Sequence, residues 1–576
     1  MPGLIGISKE SNNIKELINA RDSLKYYNWY VDDNIFEDEF LCATRTHLNV
    51  LGERHSPSYK AGIYCWIEGE MYNRIEVCNQ NKLKSETFAL LLIDAYKNNL
   101  LDKVCAQIDG YFAGVIYDQK ARTIHLISDR YGLKPIFIWK DNQNFAWASE
   151  LKAFLSFSSF LPKIRKNALS CFMDLGHMMG DITWFENVEM LSASTILSYN
   201  LNNKTMKKKR YWTWEQIKPQ NINFEEASKK LGRLLKKAVN KRIKPGEKIG
   251  ISLSGGLDSR SIIASIDTKA QAITAYTFGK SECQDVVIAK QVTKLKGCSH
   301  KIFNLNFENW LDGRFTGVWK TDGMLSLLHM HASDTHKEVK KNTDINLNGF
   351  AGDLVCGASW IINYGKRISK NTAESKFSKH ISLDHIEQSF FNIENEDPYY
   401  LNNRVRRFTN LGTEEVSKTI EQRKPFMDND LIEFMYSLPD EYRFQSKLYN
   451  NSLLKAFPEF FNNIPWQQTG IPINRKLTIF HKGKKILKNI ISKTGLYNNP
   501  ENYTDYPNWI RETKTAKLLS KILDPKIALY PRYTTEDFNK KYLKPHLDKK
   551  LDYSEQICRA LTVEVWLQQI FNNSYK

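Results

Sequence analysis

Apolar and polar positions follow two different rhythms along this chain, and the rhythm changes near residue 222. Upstream, short apolar or alternating runs recur at residues 64–67, 114–117, 123–127, 136–139 and 145–148, separated by polar or glycine turns. Period-two runs of this length read as half-buried strands. One segment, residues 86–98, carries a helical period, with Phe88, Leu91, Leu92 and Ala95 on one face. The pattern predicts sandwiched sheets with few helices over residues 1–212. Downstream, a strongly periodic helix over 224–242 ends at the Pro245-Gly246 break. Strands at 272–278, 301–305 and 345–348 then alternate with a helix at 285–295, which predicts a doubly wound parallel sheet. Beyond about residue 360 the chain reads as helical, apart from a basic, Tyr- and Pro-containing stretch at 497–533.

The chemistry concentrates where that second rhythm begins, at residues 248–263, KIGISLSGGLDSRSII. Ile249, Ile251 and Leu253 form a short apolar strand. Ser254-Gly255-Gly256-Leu257-Asp258-Ser259 is a small-residue turn, and the following segment is helical, with Ile262, Ile263 and Ile266 facing inward. A strand that feeds a glycine turn opening a helix aims backbone N–H groups and the positive helix end at one point, which suits phosphate. A carboxylate at that point, Asp258, implies a bridging Mg²⁺. The string is not a P-loop, because no lysine follows the glycines.

Length and composition narrow the class. The 576 residues allow two or three domains, and 42% hydrophobic with 25% charged residues is ordinary for a soluble protein. No apolar run reaches the roughly 18–20 residues of a membrane span, and the first residues lack the basic start of a signal peptide. The nine scattered cysteines form no C-x-x-C or Cys/His cluster, so they read as thiols of a reducing compartment, and a cytoplasmic protein is expected. The net charge of +18 is diffuse; its runs at 204–210 and 482–488 lack interleaved aromatics, so nucleic acid ranks last among the expected partners.

The SGGLDS turn resembles the PP-loop of ATP pyrophosphatases, which cut ATP between the α and β phosphates. Further strings widen the resemblance: DGYFA at 109–113, SDRYGLKP at 128–135, ASELKA at 148–153, Tyr211-Trp212, NGFAGD at 348–353 and EQRKPFMD at 421–428. In this order they resemble the asparagine synthetase family over nearly the full length. The resemblance implies an Ntn-hydrolase-like αββα sandwich (1–212), a PP-loop α/β domain with a doubly wound parallel sheet (213–480) and a helical C-terminal extension (481–576). It implies an ATP-dependent, AMP-forming carbon–nitrogen ligase using ATP and Mg²⁺. Expected partners are a small-molecule or peptide carboxylate and an amine, either ammonia or the substrate's own, and a homodimer is compatible with this.

By the same resemblance, Leu253 and Phe278 flank adenine, Ser254, Gly255, Gly256, Ser259 and Gly349 surround the phosphates, and Asp258 with Asp353 holds Mg²⁺. Glu421 is a partner base or a structural anchor, and Asp322 and Gly323 lie where substrate contacts are expected. His329 and His331 read as core or substrate-lining side chains. The chain also departs from the family. Pro2 stands where the glutaminase nucleophile is a cysteine, Glu68 replaces an oxyanion-hole asparagine, and Ser85-Glu86 replaces Ser-Asp, while Arg45 matches a carboxylate-binding arginine. A dead glutaminase is expected. Phe350 cannot transfer a proton, and Gln468 stands at the catalytic lysine, for which Arg475 or Lys476 are substitutes. Two other readings stay open: a non-catalytic or regulatory ATP-binding protein, and an ammonia-dependent asparagine synthetase.

Overall fold

The structure, a computed structural model, describes residues 3–8, 14–50, 56–267, 272–331, 333–358, 397–476 and 501–575. The chain divides into two units, one of Met1–Gln216 with Arg367–Leu411, the other of Ile217–Lys366 with Gly412–Lys576. This boundary lies close to the expected one at 212/213. The grouping of Arg367–Leu411 with the first unit has no counterpart in the sequence reading.

In the first unit the alternating runs become two antiparallel sheets, one of seven strands and one of six. Their facing sides share one core, in which Leu4, Leu41, Ile138, Phe145 and Trp147 of one sheet meet Trp66, Val115, Leu126, Leu197 and Tyr199 of the other. Helix Ile14–Asp22 packs on the first sheet and helix Phe88–Lys97 on the second, giving the expected αββα layering. The 86–98 helix begins later than predicted because Thr87 caps it, its hydroxyl accepting from the Leu90 N–H at 3.2 Å. The expectation of few helices needs correction, since Ile14–Asp22, Arg74–Asn81, Leu101–Gln107 and Lys166–Leu175 are also helical. Segments this short span too few turns for a clear period.

The SDRYGLKP string is explained by one side chain. The carboxylate of Asp129, fully buried, accepts backbone N–H groups from Phe112, Tyr131, Leu133 and Lys134 at 2.9–3.2 Å. The segment 397–411 joins this unit through two buried arginines. Arg406 bonds the Leu191 carbonyl at 2.6 Å and Asp181 at 3.1 Å, and Arg407 bonds the carbonyls of Gly180 and Ile182 at 2.6 and 2.9 Å. Guanidinium groups satisfying several buried carbonyls are hard to release without orphaning them.

The second unit is built on five parallel strands in the spatial order Ser299–Asn304, Ile273–Gly279, Ile249–Ser252, Ile345–Leu347, Glu421–Arg423. The chain leaves Ile249–Ser252 toward one side and later returns on the other, so a crevice opens beyond the carboxyl ends of the central strands. The EQRKPFMD string at 421–428 forms a strand and a Pro425–Met427 turn and leads into helix Asn429–Ser437, which Asp428 caps by accepting from the Leu431 N–H at 3.2 Å. Within the stretch 497–533, excepted from the helical reading, Tyr506–Arg511 and Thr513–Ile522 are helices. No described helix is long and apolar enough to cross a membrane.

Candidate active site

Strand Ile249–Ser252 ends at Leu253, and helix Leu257–Ser265 starts one short turn later. Ile262, Ile263 and Ile266 are all buried beneath it, as their spacing predicts. Three internal bonds shape the turn: Ser259 Oγ accepts from Ser254 N–H and lies 3.2 Å from Ser254 Oγ, which itself accepts from Gly256 N–H at 3.2 Å. Asp285, in the first turn of helix Gln284–Lys296, takes the Gly255 N–H at 2.8 Å. Behind the turn the buried Arg260 bonds the carbonyls of Gly255, Ile464 and Pro465 at 3.1, 3.1 and 2.6 Å. The result is a pre-shaped helix N-terminus with small side chains on its open side.

Asp258 and Asp353 adjoin here. The backbone N–H of Asp353 donates to the Asp258 carboxylate, and burial together with the Asp353 charge raises the Asp258 pKa to about 8. Asp258 Oδ1 also accepts from the Tyr449 hydroxyl at 3.0 Å. Among the described residues no third acidic, His or Cys side chain joins the two into a larger ligand cluster. The placement depends on Gly352, where a Cβ would lie 2.6 Å from Asp258 Cγ and 2.8 Å from the Phe426 ring. Two hard carboxylates, close enough for one charge to raise the proton affinity of the other, fit a divalent ion that also carries phosphate and water ligands.

The turn opens into a cleft of about 380 Å³ lined by Leu253, Ser254, Gly256, Asp258, Ser259, Phe278 and Gly349 of the expected set, together with Asp285, Asn348, His331 and Tyr503. Its apolar end is aromatic: Phe278 stacks on His331 with centroids 5.7 Å apart, and Tyr503 stands edge-on to both. Sequence reasoning missed Asp285 and Tyr503 as cleft residues. An acidic residue in a first helical turn is the usual answer to the helix dipole, so Asp285 carries no distinguishing signal. Tyr503 arrives from far along the chain, in a segment held by Lys280 N–H to the Tyr503 carbonyl and Gln284 N–H to the Glu501 carbonyl, both 3.1 Å.

Other expected residues lie elsewhere. Asp322 and Gly323 do not line the cleft; both have positive φ, and Gly323 faces Trp566 of helix Ser554–Phe571. Gly323→Ala would put a Cβ 2.5 Å from Trp566 Cγ at φ +64°. It is expected to cost roughly 2–4 kcal/mol, read as a lowered denaturation midpoint with an unchanged m-value. Glu421 is buried on the edge strand in register with Ile345, the amino end of its neighbour, and is not among the cleft-lining residues. Phe350 is buried with Lys424 Nζ 5.2 Å over its ring, and that lysine pairs with Glu414 at 3.1 Å. Gln468 follows Gln467, whose N–H bonds the Gly255 carbonyl at 3.3 Å behind the turn, while Arg475 and Lys476 are exposed. His329 meets Glu555 at 3.5 Å, outside the cleft lining.

In the first unit, Arg45 is buried and its Nε bonds Asp33 at 2.6 Å, with a further bond to the Ile67 carbonyl at 2.8 Å. Glu68 is buried with Lys134 Nζ at 4.0 Å. Ser85 Oγ donates to Asp94 at 2.7 Å, whereas Glu86 is exposed. Pro2 lies outside the described residues.

Residues 2–212 match the glutamine amidotransferase domain family, and residues 230–416 match the asparagine synthase family. Putative glutamine-hydrolysing asparagine synthetase 1 of Methanocaldococcus jannaschii is 25% identical over 499 residues, covering 82% of this chain and 83% of that protein. Putative asparagine synthetase 2 of the same organism is 30% identical over 210 residues, 35% of this chain and 40% of the relative. A probable asparagine synthetase of Acanthamoeba polyphaga mimivirus is 22% identical over 509 residues, 85% and 80% of the two chains. With both domain families matched in the order of its two units, and relatives matched along most of their length, the chain belongs to the asparagine synthetase family.

Proposed function

We propose that this protein is an ATP-dependent amide-forming ligase that activates a substrate carboxylate as an acyl-adenylate for attack by an amine. The observation that carries this reading is the cleft, in which a phosphate-shaped turn, the Asp258 carboxylate that Asp353 adjoins and an apolar wall meet at the carboxyl ends of parallel strands. A carboxylate oxygen attacks the α phosphorus and pyrophosphate leaves with the bridging electron pair. The amine nitrogen then attacks the acyl carbon, AMP departs, and the nitrogen gives up a proton. Ser254, Gly256, Ser259 and Gly349 line the cleft and orient the phosphates, Gly255 shapes the turn with its N–H held by Asp285, and Leu253 and Phe278 hold the base. Asp258 and Asp353 would hold Mg²⁺, which when bound neutralises charge on the departing pyrophosphate. Tyr449 orients the Asp258 carboxylate toward that role. The burial of Glu421 and its register at the far end of the strand favour the anchor role over the base.

We also propose an amidotransferase-like domain over 1–212, a synthetase domain over 213–480 and its extension over 481–576, with no glutamine hydrolysis in the first. Pro2 offers no thiol. The buried Arg45 is already matched by Asp33, and Glu68 supplies an acceptor where an oxyanion needs a donor. The amine is then ammonia or one carried by a substrate. Purified protein incubated with glutamine is expected to release no glutamate above the buffer rate, and measurable release refutes this part.

The ligase reading is tested by pyrophosphate release from Mg-ATP across a panel of amino acid, peptide and sugar carboxylates, with and without ammonium. Release that depends on one carboxylate supports it. Phe350 and Gln468 favour one second reading, a regulatory protein that binds ATP without turnover, which predicts saturable Mg-ATP binding with no release on any carboxylate.

A further inference from the structure

Four side chains at the aromatic end of the cleft form a hydrogen-bonded chain in which one direction of the protons leaves the buried Tyr506 hydrogen paired. Arg314 is buried and permanently charged, and its Nη1 is occupied by the carbonyls of Leu327 and Leu328 at 2.7 and 3.1 Å. Its Nη2 donates to the Tyr506 hydroxyl at 2.8 Å. That oxygen therefore turns its own hydrogen toward its other neighbour, His331 Nδ1, 2.8 Å away. Burial and the nearby Arg314 charge hold His331 well below the usual imidazole range, so the ring is neutral. With Nδ1 accepting, the single ring proton sits on Nε2. Nε2 donates to the Tyr503 hydroxyl at 3.3 Å, which leaves the Tyr503 hydrogen without an acceptor among the described residues.

Tyr503 lines the cleft, its ring 6.4 Å from Phe278 and steeply inclined to it. The two backbone bonds of its segment to residues 280 and 284 keep it there. Asp285, close enough for its charge to act on Tyr503, has the opposite character. Its Oδ1 is spent on Gly255, while its buried Oδ2 lies beside the same cleft with no hydrogen-bond partner among the described residues. A directed donor and an unfilled acceptor thus belong to two residues that line one cleft and lie close enough to interact.

We propose that Tyr503 reads the nucleotide base: its hydroxyl, locked as a donor by Arg314, Tyr506 and His331, bonds an acceptor nitrogen of the purine, and Asp285 Oδ2 accepts an N–H of the same ligand. This rests on the nucleotide reading of the cleft. Arg314, Tyr506 and His331 are positioning residues, and Tyr503 touches the ligand. A buried polar pair of this kind discriminates strongly, because a ligand lacking the matching atom leaves it unsatisfied.

The test is titration calorimetry on the full chain with Mg-ATP and its 1-deaza, 3-deaza and 7-deaza analogues, each lacking one acceptor nitrogen. Tyr503→Phe is expected to weaken ATP binding roughly 2- to 10-fold. One analogue should show the same loss on the wild-type protein, and should bind the wild type and Tyr503→Phe equally. His331→Phe, which keeps a ring beside Phe278 and cuts the relay, should lose the same nitrogen-specific preference. Unchanged ATP affinity in Tyr503→Phe overturns the proposal, as does an equal weakening of all four nucleotides, the mark of a merely structural ring. A wild-type protein that binds none of the four instead sinks the nucleotide reading itself.

Discussion

Asp258→Asn is expected to lower carboxylate-dependent pyrophosphate release on the order of 10³-fold while leaving the fold intact. Asparagine keeps the shape of the side chain and an oxygen for the Tyr449 hydroxyl, which lies 3.0 Å from Oδ1. It removes the charge that, with Asp353, would hold the ion, and loss of charge stabilisation at a transferring phosphoryl group is worth several kcal/mol. The loss should appear in kcat as well as in apparent ATP affinity, because charge on pyrophosphate grows as the α–β bond breaks. Asp353→Asn should follow the same direction. A variant of Asp258 that retains wild-type release at saturating Mg-ATP would remove the ion from the site and, with it, the main support for adenylation.

The same substitution should stabilise the metal-free protein, and the gain should depend on pH. The Asp258 carboxyl is raised from an ordinary value of 3.8 to about 8, first by burial and then by Asp353. The folded state therefore binds this proton more tightly than the unfolded chain does. Its contribution is fully present below about pH 4 and is lost as pH rises toward 8, beyond which it stays constant. The amide of the Asp258→Asn variant does not titrate, so the variant should gain on the wild type steadily across that window, by a few kcal/mol at most, since the cleft admits water. Denaturant melts at a series of pH values measure the difference. Mg²⁺ added at pH 8 should raise the wild-type midpoint and leave the variant unmoved. A difference between the two proteins that is flat from pH 4 to 8 would mean that the carboxylate is not held against its ordinary ionisation.

The two expectations have opposite signs for one reason: a side chain suited to a cation is costly when none is bound. Such conflicts between stability and local chemistry gather at functional sites. Gly352 serves the same conflict, because any side chain there would displace the Asp258 carboxylate by contact.

What the sequence determined alone is the local unit. Residues 249–265 contain their own strand, turn and helix start, and every contact that shapes the turn from within spans five residues or fewer. Apolar spacing likewise located the five strands quoted for the first unit and four of the five in the parallel sheet, because period and burial are both short-range properties. The fifth, Glu421–Arg423, has three residues, too few to show a period. Only the tertiary structure decided which distant groups complete the cleft. Tyr503, His331 and Asp285 lie on separate segments, and their roles come from a relay and an unpaired oxygen that exist only once those segments meet. It also took Asp322 and Gly323 out of the cleft and buried Glu421 on its strand, since chain order records neither which face of a turn is covered nor which end of a sheet lies open.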